Sequence, residues 1–210
     1  MGKVCVRGFA VSIDGFGAGP DQGLEQPMGK GGQALHEWFY PTRTFREMIG
    51  QEGGTDDPFA RAAGEGFGAF ILGRNMFGPA GDDWGGPDWK GWWGDDPPYH
   101  APTFILTHHP RPPIEMQGGT TFHFVTEGIE AALEQARAAA GALDVKIGGG
   151  VSTVRQYLLA GAIDELHLAV SPVLLGRGES LFAGIDLPGL GYRVAQVTPT
   201  ALATHVVLTR

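Results

Sequence analysis

The segment Val145-Lys146-Ile147-Gly148-Gly149-Gly150-Val151-Ser152 runs from an apolar stretch through three glycines into a helical pattern. Glycine lets backbone approach a ligand closely and adopt positive φ. A helix start offers unpaired N–H donors and a partial positive charge. A phosphate group suits that combination, and a tight strand-to-helix turn would use the same residues. Two further segments share the design. Ala69-Phe70-Ile71-Leu72 enters Gly73-Arg74-Asn75-Met76, where Arg74 offers the planar fork of donors that fits a phosphate. Phe104-Ile105-Leu106 ends in Thr107-His108-His109-Pro110-Arg111, a polar cluster suited to a phosphate or an adenine ribose. Doubly wound sheets bind ligands at the carboxyl ends of their strands, so three such ends point to one dinucleotide laid across them. Gly15-Phe16-Gly17-Ala18-Gly19 lacks the third glycine of the dinucleotide fingerprint and no helix pattern follows it. No metal is expected. His108 and His109 point to opposite faces of an extended chain, no His-Glu-x-x-His occurs, and Cys5 is the lone cysteine.

Asp14 follows an apolar run and precedes Gly15. It is the candidate catalytic group, able to anchor an amine or hydroxyl or to relay a proton. Burial at the end of a strand would raise its pKa. Capping the turn before Gly15 is its other use. His36-Glu37-Trp38 places an aromatic beside an acid and a histidine, which suits a flat heterocycle. A Trp38 packed in the core with the polar pair in solvent fits the same residues. Trp84, Trp89, Trp92 and Trp93 could pack a loop, act as a lid or cover an oligomer contact.

These residues require strands that end together. Strands are expected at Lys3–Ile13, Gly68–Gly73, Thr103–Thr107, Thr121–Val125, Asp144–Ile147 and Glu165–Val170. A hairpin closes the chain, with Tyr192–Val197 and Ala203–Leu208 around Pro199-Thr200. Helices are expected at Thr42–Ile49, from an Asp57 N-cap through Ala63, from a Thr126 cap to Ala140 with Gly141 as the stop, and at Ser152–Ala160. Residues 78–102 hold six glycines, five prolines and four tryptophans and are expected to form an irregular aromatic loop. Strands alternating with helices imply an α/β class with a mainly parallel sheet and an antiparallel edge.

The chain has 210 residues, 42% of them hydrophobic, enough for one domain with a full core. Its formal charge of −8 and the lack of basic runs argue against nucleic acid. No apolar run approaches the roughly 18 residues of a membrane span. The start carries neither a signal-peptide nor a myristoylation pattern, so a cytoplasmic protein is expected.

On these segments the chain resembles the dihydrofolate-reductase-like superfamily. Within it, the chain is most similar to the reductase domain of the riboflavin-pathway deaminase-reductases and their stand-alone relatives. The residues that carry the resemblance are Ala10-Val11-Ser12-Ile13-Asp14-Gly15, Gly73-Arg74-Asn75-Met76, Ile147-Gly148-Gly149-Gly150-Val151 and Asp164-Glu165-Leu166-His167-Leu168. Pro172-Val173-Leu174-Leu175-Gly176 and Ser180-Leu181-Phe182 also match. The resemblance implies a central mixed, mainly parallel sheet of about eight strands with flanking helices, in one domain over residues 1–210 with an insertion at 17–56. It implies NADPH across the strand ends, and hydride transfer to a small heterocycle as in 5-amino-6-(5-phosphoribosylamino)uracil reductase or dihydrofolate reductase. By that resemblance Gly73, Arg74, Asn75 and Met76 line the phosphate and adenosine region, and Thr107 and His108 flank the 2′-phosphate. Gly148, Gly149, Gly150, Val151 and Ser152 hold the pyrophosphate, and Ala10 and Ile13 meet the nicotinamide. Ser12, Phe16, Glu37 and Trp38 are the candidate substrate contacts. The riboflavin enzymes usually carry lysine where Phe16 stands, and the paired-cysteine signature of the deaminase domain is missing. Glu47 and Asp57 are both possible as the substrate-anchoring carboxylate. A homodimer is expected, through the Glu165–Val170 strand or the closing hairpin. A non-catalytic nucleotide-binding homodimer on the same scaffold is the alternative.

Overall fold

The structure, a computed structural model, describes residues 2–55, 57–79, 84, 86 and 88–210. Part of the aromatic loop expected at 78–102 therefore lies outside the described residues. Strand β1 (Val4–Ser12) is followed by the short β2 (Phe16–Ala18), a 3-10 turn at Gly32–His36 and helices α1 (Arg43–Met48) and α2 (Pro58–Gly64). Then come β3 (Phe67–Gly73), α3 (Arg74–Phe77), β4 (Pro102–Leu106), β5 (Ile114–Glu115) and β6 (Thr121–Val125). The remainder is α4 (Ile129–Ala140), β7 (Asp144–Gly149), α5 (Val151–Leu159), β8 (Glu165–Ser171), β9 (Glu179–Ser180), β10 (Arg193–Pro199) and β11 (Thr204–Thr209).

Nine strands form one sheet in the order β10-β11-β8-β1-β7-β3-β4-β6-β5. From β8 to β6 every neighbouring pair is parallel, and β10, β11 and β5 add antiparallel edges. This is the mixed, mostly parallel sheet with flanking helices and a closing hairpin that the sequence implies. β2 and β9, which no sequence pattern marked, pair as a separate two-stranded ribbon. β8 is hydrogen-bonded on both sides, to β1 and β11. It has no free edge with which to join a second copy, so of the two strands expected to dimerise only the hairpin retains one, in β10.

The period-two alternation of side chains builds the layers. Val4, Val6, Ala69, Ile71, Val145, Ile147, Leu166 and Leu168 share one core with Ala132, Ala136 and Ala140 of α4 and Val154, Tyr157 and Leu158 of α5. The intervening residues face the opposite side. There Leu72 and Ile105 pack with Phe77, Phe122 and two of the loop tryptophans, Trp84 and Trp89. Trp38 and Ala60 cover Ala169 and Ala203. The caps behave as expected at α2, where the Asp57 carboxylate accepts from Phe59 N and Ala60 N and Pro58 sits in the first turn. They do not at α4. Gly128 is its N-cap, and the Thr126 hydroxyl and N–H both donate to the neighbouring Glu127 carboxylate instead.

A histidine pair ties the hairpin to the centre of the sheet. Gly8 N donates to His167 Nδ1 at 3.0 Å, so the proton of His167 sits on Nε2 and is given to His205 Nδ1, also at 3.0 Å. Phe59 stacks on His205 with ring centroids 4.0 Å apart. Burial, and then His205, hold the His167 pKa down to about 4. An unfolded histidine takes up a proton near pH 6.5 and the folded one resists until about pH 4, so stability falls as pH drops through that window. Urea midpoints measured from pH 8 to pH 5 should therefore decline below about pH 6.5. The decline should shrink in His167→Gln, whose amide can keep both hydrogen bonds without titrating. An equal decline in both proteins refutes this assignment.

Candidate functional site

Because β1, β7, β3 and β4 are parallel, their carboxyl ends lie at one edge of the sheet. A cavity of about 550 Å³ opens there. The start of α5 forms one wall. Its N-cap, Gly150, has no side chain, so the first N–H groups of the helix have no side-chain partner. Val151, Ser152 and Thr153 present this end to the cavity. Two glycines are required by geometry. A Cβ on Gly73 would collide with Thr153 Oγ1, and Gly149 has φ +125°, where a side chain would be strained against Phe9. The Gly149–Gly150 peptide bond is cis. A helix start freed of side-chain capping, bordered by bare backbone, fits a phosphate of a bound dinucleotide.

The structure brings most of the expected cofactor residues together. Ala10, Gly73, Arg74, Asn75 and Met76 line the cavity, as do Thr107, His108, Gly148, Gly150, Val151 and Ser152. Gly149 lies behind this lining, paired with Leu72 of β3. Ile13 is 63% exposed and lies outside it. Arg74 borders the cavity, but its guanidinium sits over the Trp84 ring, 4.7 Å from the centroid, and Nη1 donates to Pro79 O. The aromatic loop thus holds the fork of donors that the sequence offered to a phosphate. Thr107 Oγ1 accepts from His109 N, which fixes the turn after β4.

The candidate substrate residues are dispersed. Both Asp14 carboxylate oxygens are taken by backbone, Oδ1 by Leu175 N at 3.2 Å and Oδ2 by Gly176 N at 2.7 Å. Asp14 is outside the cavity lining. The Ser12 hydroxyl, then Gly176 and Leu175 N–H, hold its carboxyl below the usual carboxylate range. The expected rise through burial is thus corrected: the end of β1 carries Asp14 into solvent beside the 174–176 loop. Ser12 is buried and accepts from Phe16 N, and Phe16 pairs with Ser180 in the small ribbon. Glu37 is exposed. Trp38 is in the core, 5.0 Å edge-on to His205. Its neighbour His36 faces the cavity instead, and burial lowers the pKa of His36. Neither candidate carboxylate reaches this cavity: Asp57 caps α2, and Glu47 lines a second cavity of about 660 Å³.

Sequence reasoning missed Arg7 and Lys146, which line both cavities. Each is a cation inside a strand with apolar residues or glycine on either side, Arg7 between Val6 and Gly8 and Lys146 between Val145 and Ile147, and that break in pattern was the available signal. Arg7 Nε bonds Glu165 at 2.8 Å and a second nitrogen lies 3.6 Å from Asp144. Among the described residues no group of His, Cys, Asp and Glu could hold a metal ion, and no helix is long and apolar enough to cross a membrane.

A family model, the RibD C-terminal domain, matches residues 4–208. No curated protein sequence matches the chain. Among solved structures, a protein from Shewanella sp. PV-4 described under riboflavin biosynthesis superposes with a TM-score of 0.59 at 20% identity, over 100% of this chain and 99% of that one. A diaminohydroxyphosphoribosylaminopyrimidine deaminase/5-amino-6-(5-phosphoribosylamino)uracil reductase from Thermotoga maritima superposes with a TM-score of 0.53 at 15% identity. That alignment covers 99% of this chain and 56% of the Thermotoga chain, so this chain spans little more than half of it. A dihydrofolate reductase from Enterococcus faecalis, complexed with NADP(H) and RAB-propyl, aligns with a TM-score of 0.42 at 18% identity, over 68% of this chain and 73% of that one.

Asp14→Asn leaves an amide whose single oxygen can serve only part of the Leu175 and Gly176 pair. It should lower the thermal midpoint at neutral pH, where the carboxylate is ionised. The deficit against wild type should shrink as pH falls toward the range in which Asp14 protonates, because a depressed carboxyl pKa stabilises the fold only above it. Differential scanning calorimetry of both proteins from pH 7 to pH 3 measures this. An equal midpoint at pH 7 contradicts it.

Proposed function

The chain belongs to the RibD C-terminal domain family, and from that premise we propose that it is an NADPH-dependent reductase that passes a hydride to a small heterocyclic substrate, of the riboflavin-pathway reductase type. The observation that carries the proposal is the start of α5, free of side-chain capping, opening into a cavity at the ends of β3, β4 and β7. In this reading the N–H groups of Val151 and Ser152 take the pyrophosphate, and Gly148, Gly149 and Gly150 give it room. Gly73, Asn75 and Met76 flank the adenosine, and Arg74, Thr107 and His108 lie toward its 2′-phosphate. Ala10 meets the nicotinamide, with Gly8, His36 and Lys146 beside it.

The cofactor, when bound, supplies the hydride. The protein's tasks are to align two rings and exclude water. Ser12, Ile13, Asp14 and Phe16 act on this site by shaping the turn after β1, so Asp14 is a positioning residue and not a catalytic one. Glu37 and Trp38 belong to the wall that carries His36. A continuous sheet from Val4 to Thr209 supports one domain, and the open edge of β10 suits a homodimer.

Thermal unfolding with NADPH and NADH in parallel tests the reading. A ligand at about 100 times its Kd stabilises a fold by about 2.7 kcal/mol, which for a chain of this size is roughly 5–11 °C. NADPH should give that shift and NADH a smaller one. No shift with either overturns the proposal. A shift with NADPH but no NADPH oxidation across pyrimidines and pteridines favours the nucleotide-binding, non-catalytic alternative.

A further inference from the structure

Lysines that face water in this protein are neutralised, and the one lysine inside it is not. Lys3, Lys30 and Lys90 pair with Glu165, Asp21 and Asp95 at 3.5, 2.7 and 3.4 Å. Lys146 donates to a backbone carbonyl, Ala63 O, and makes no ion pair with a described carboxylate. Its position follows from β7. Val145 and Ile147 enter the core, so Lys146 must project to the opposite face, under α2. The adjacent Arg7 is already matched by Glu165 and Asp144. Glu47, Glu65 and Asp96 also border the second cavity, but none pairs with Lys146. The cation without a carboxylate partner at this point is therefore the Lys146 ammonium, which lies over the Phe67 ring at 5.7 Å from its centroid. An enclosed cation without a counter-charge is costly unless a ligand provides one.

The ammonium stands where the two cavities share their walls, with Arg7, Gly8 and His36. His36 stands at the same junction, with its Nδ1 buried. Beyond the junction, Trp38, Phe39, Phe70 and Tyr99 line the second cavity. Aromatic walls accept a planar ring, and an ammonium with two N–H groups to spare accepts an anionic oxygen.

We propose that this second cavity is the substrate chamber, and that Lys146 selects a planar ring bearing an anionic oxygen, such as a ring carboxylate or enolate. His36 Nδ1 adds a second polar contact to the same ligand. The proposal rests on the reductase reading only in placing the cofactor in the neighbouring cavity.

The probes are orotate, a planar pyrimidine carboxylate, and its uncharged carboxamide. Thermal unfolding is followed with each probe, with and without saturating NADPH, for wild type, Lys146→Gln and Lys146→Arg. Wild type should be stabilised saturably by orotate and much less by the carboxamide. Lys146→Gln should lose the difference between the two probes, and Lys146→Arg should keep most of it. A single cooperative thermal transition in each protein shows that the variants fold, and the comparison of orotate with its carboxamide is made within each protein. The inference is overturned if orotate does not stabilise wild type, if it does no better than the carboxamide, or if Lys146→Gln retains the preference. Loss of the NADPH shift in wild type would instead overturn the reductase reading, whatever orotate does.

Discussion

The position of β7 between β1 and β3 is the constraint on which the rest of this structure depends. Val145 is paired with Val4 on one side and with Ala69 on the other, and Ile147 with Ile71. Because both faces of a central parallel strand are covered, its alternation cannot slip by one residue without exposing the core. That register sends Val145 and Ile147 into the layer of α4 and α5. It sends Lys146 and Gly148 to the other face. The same strand then ends at Gly149 and passes through Gly150 into α5. One strand thus fixes the apolar layer, the phosphate-friendly helix start and the cation at the junction of the two cavities.

Electrostatics divides the site into two ends with different means of handling charge. At the α5 end the positive potential comes from backbone N–H groups, which need no counter-ion and cost little to keep uncovered. At the Lys146 end it comes from side chains held between α2 and the sheet. Arg7 is balanced there by acids from β8 and β7, Glu165 and Asp144. Burial first, and then repulsion by Arg7, bring the pKa of Lys146 down to about 8. Cys5, on the same side of β1, is pushed up to about 12, chiefly by burial, and acts as a small core residue with no reactive thiolate. Below the sheet the neutral His167–His205 pair carries hydrogen bonds across three strands with no charge at all.

Much of the fold was legible from local pattern. The long strands, the Asp57-Pro58 helix start, the Gly141 stop and the closing hairpin appear where propensity, capping and alternation all agree. The failures have physical reasons. β2 and β9 are too short for a period to show, and they pair through tertiary contact alone. Thr126 had the right chemistry for a cap, but Glu127 takes its donors and the helix starts three residues later. Asp14 and Arg74 were read from what their side chains can do. Their partners, the N–H groups of Leu175 and Gly176 and the Trp84 ring with Pro79 O, come from loops that the sequence gives no means of bringing near.

The sequence by itself determined the α/β class, the strands whose ends converge, and the glycines that leave a helix start open. Those are consequences of short-range rules: alternation, capping and the conformational freedom of glycine. Tertiary structure alone decided which polar side chains face the cavities. It tied Asp14 and Arg74 to loops, buried Trp38, turned His36 inward, and left Lys146 without a counter-charge. Which partner a polar group finds depends on segments distant in the chain, and a hydrogen bond or ion pair forms only where folding brings both groups within reach.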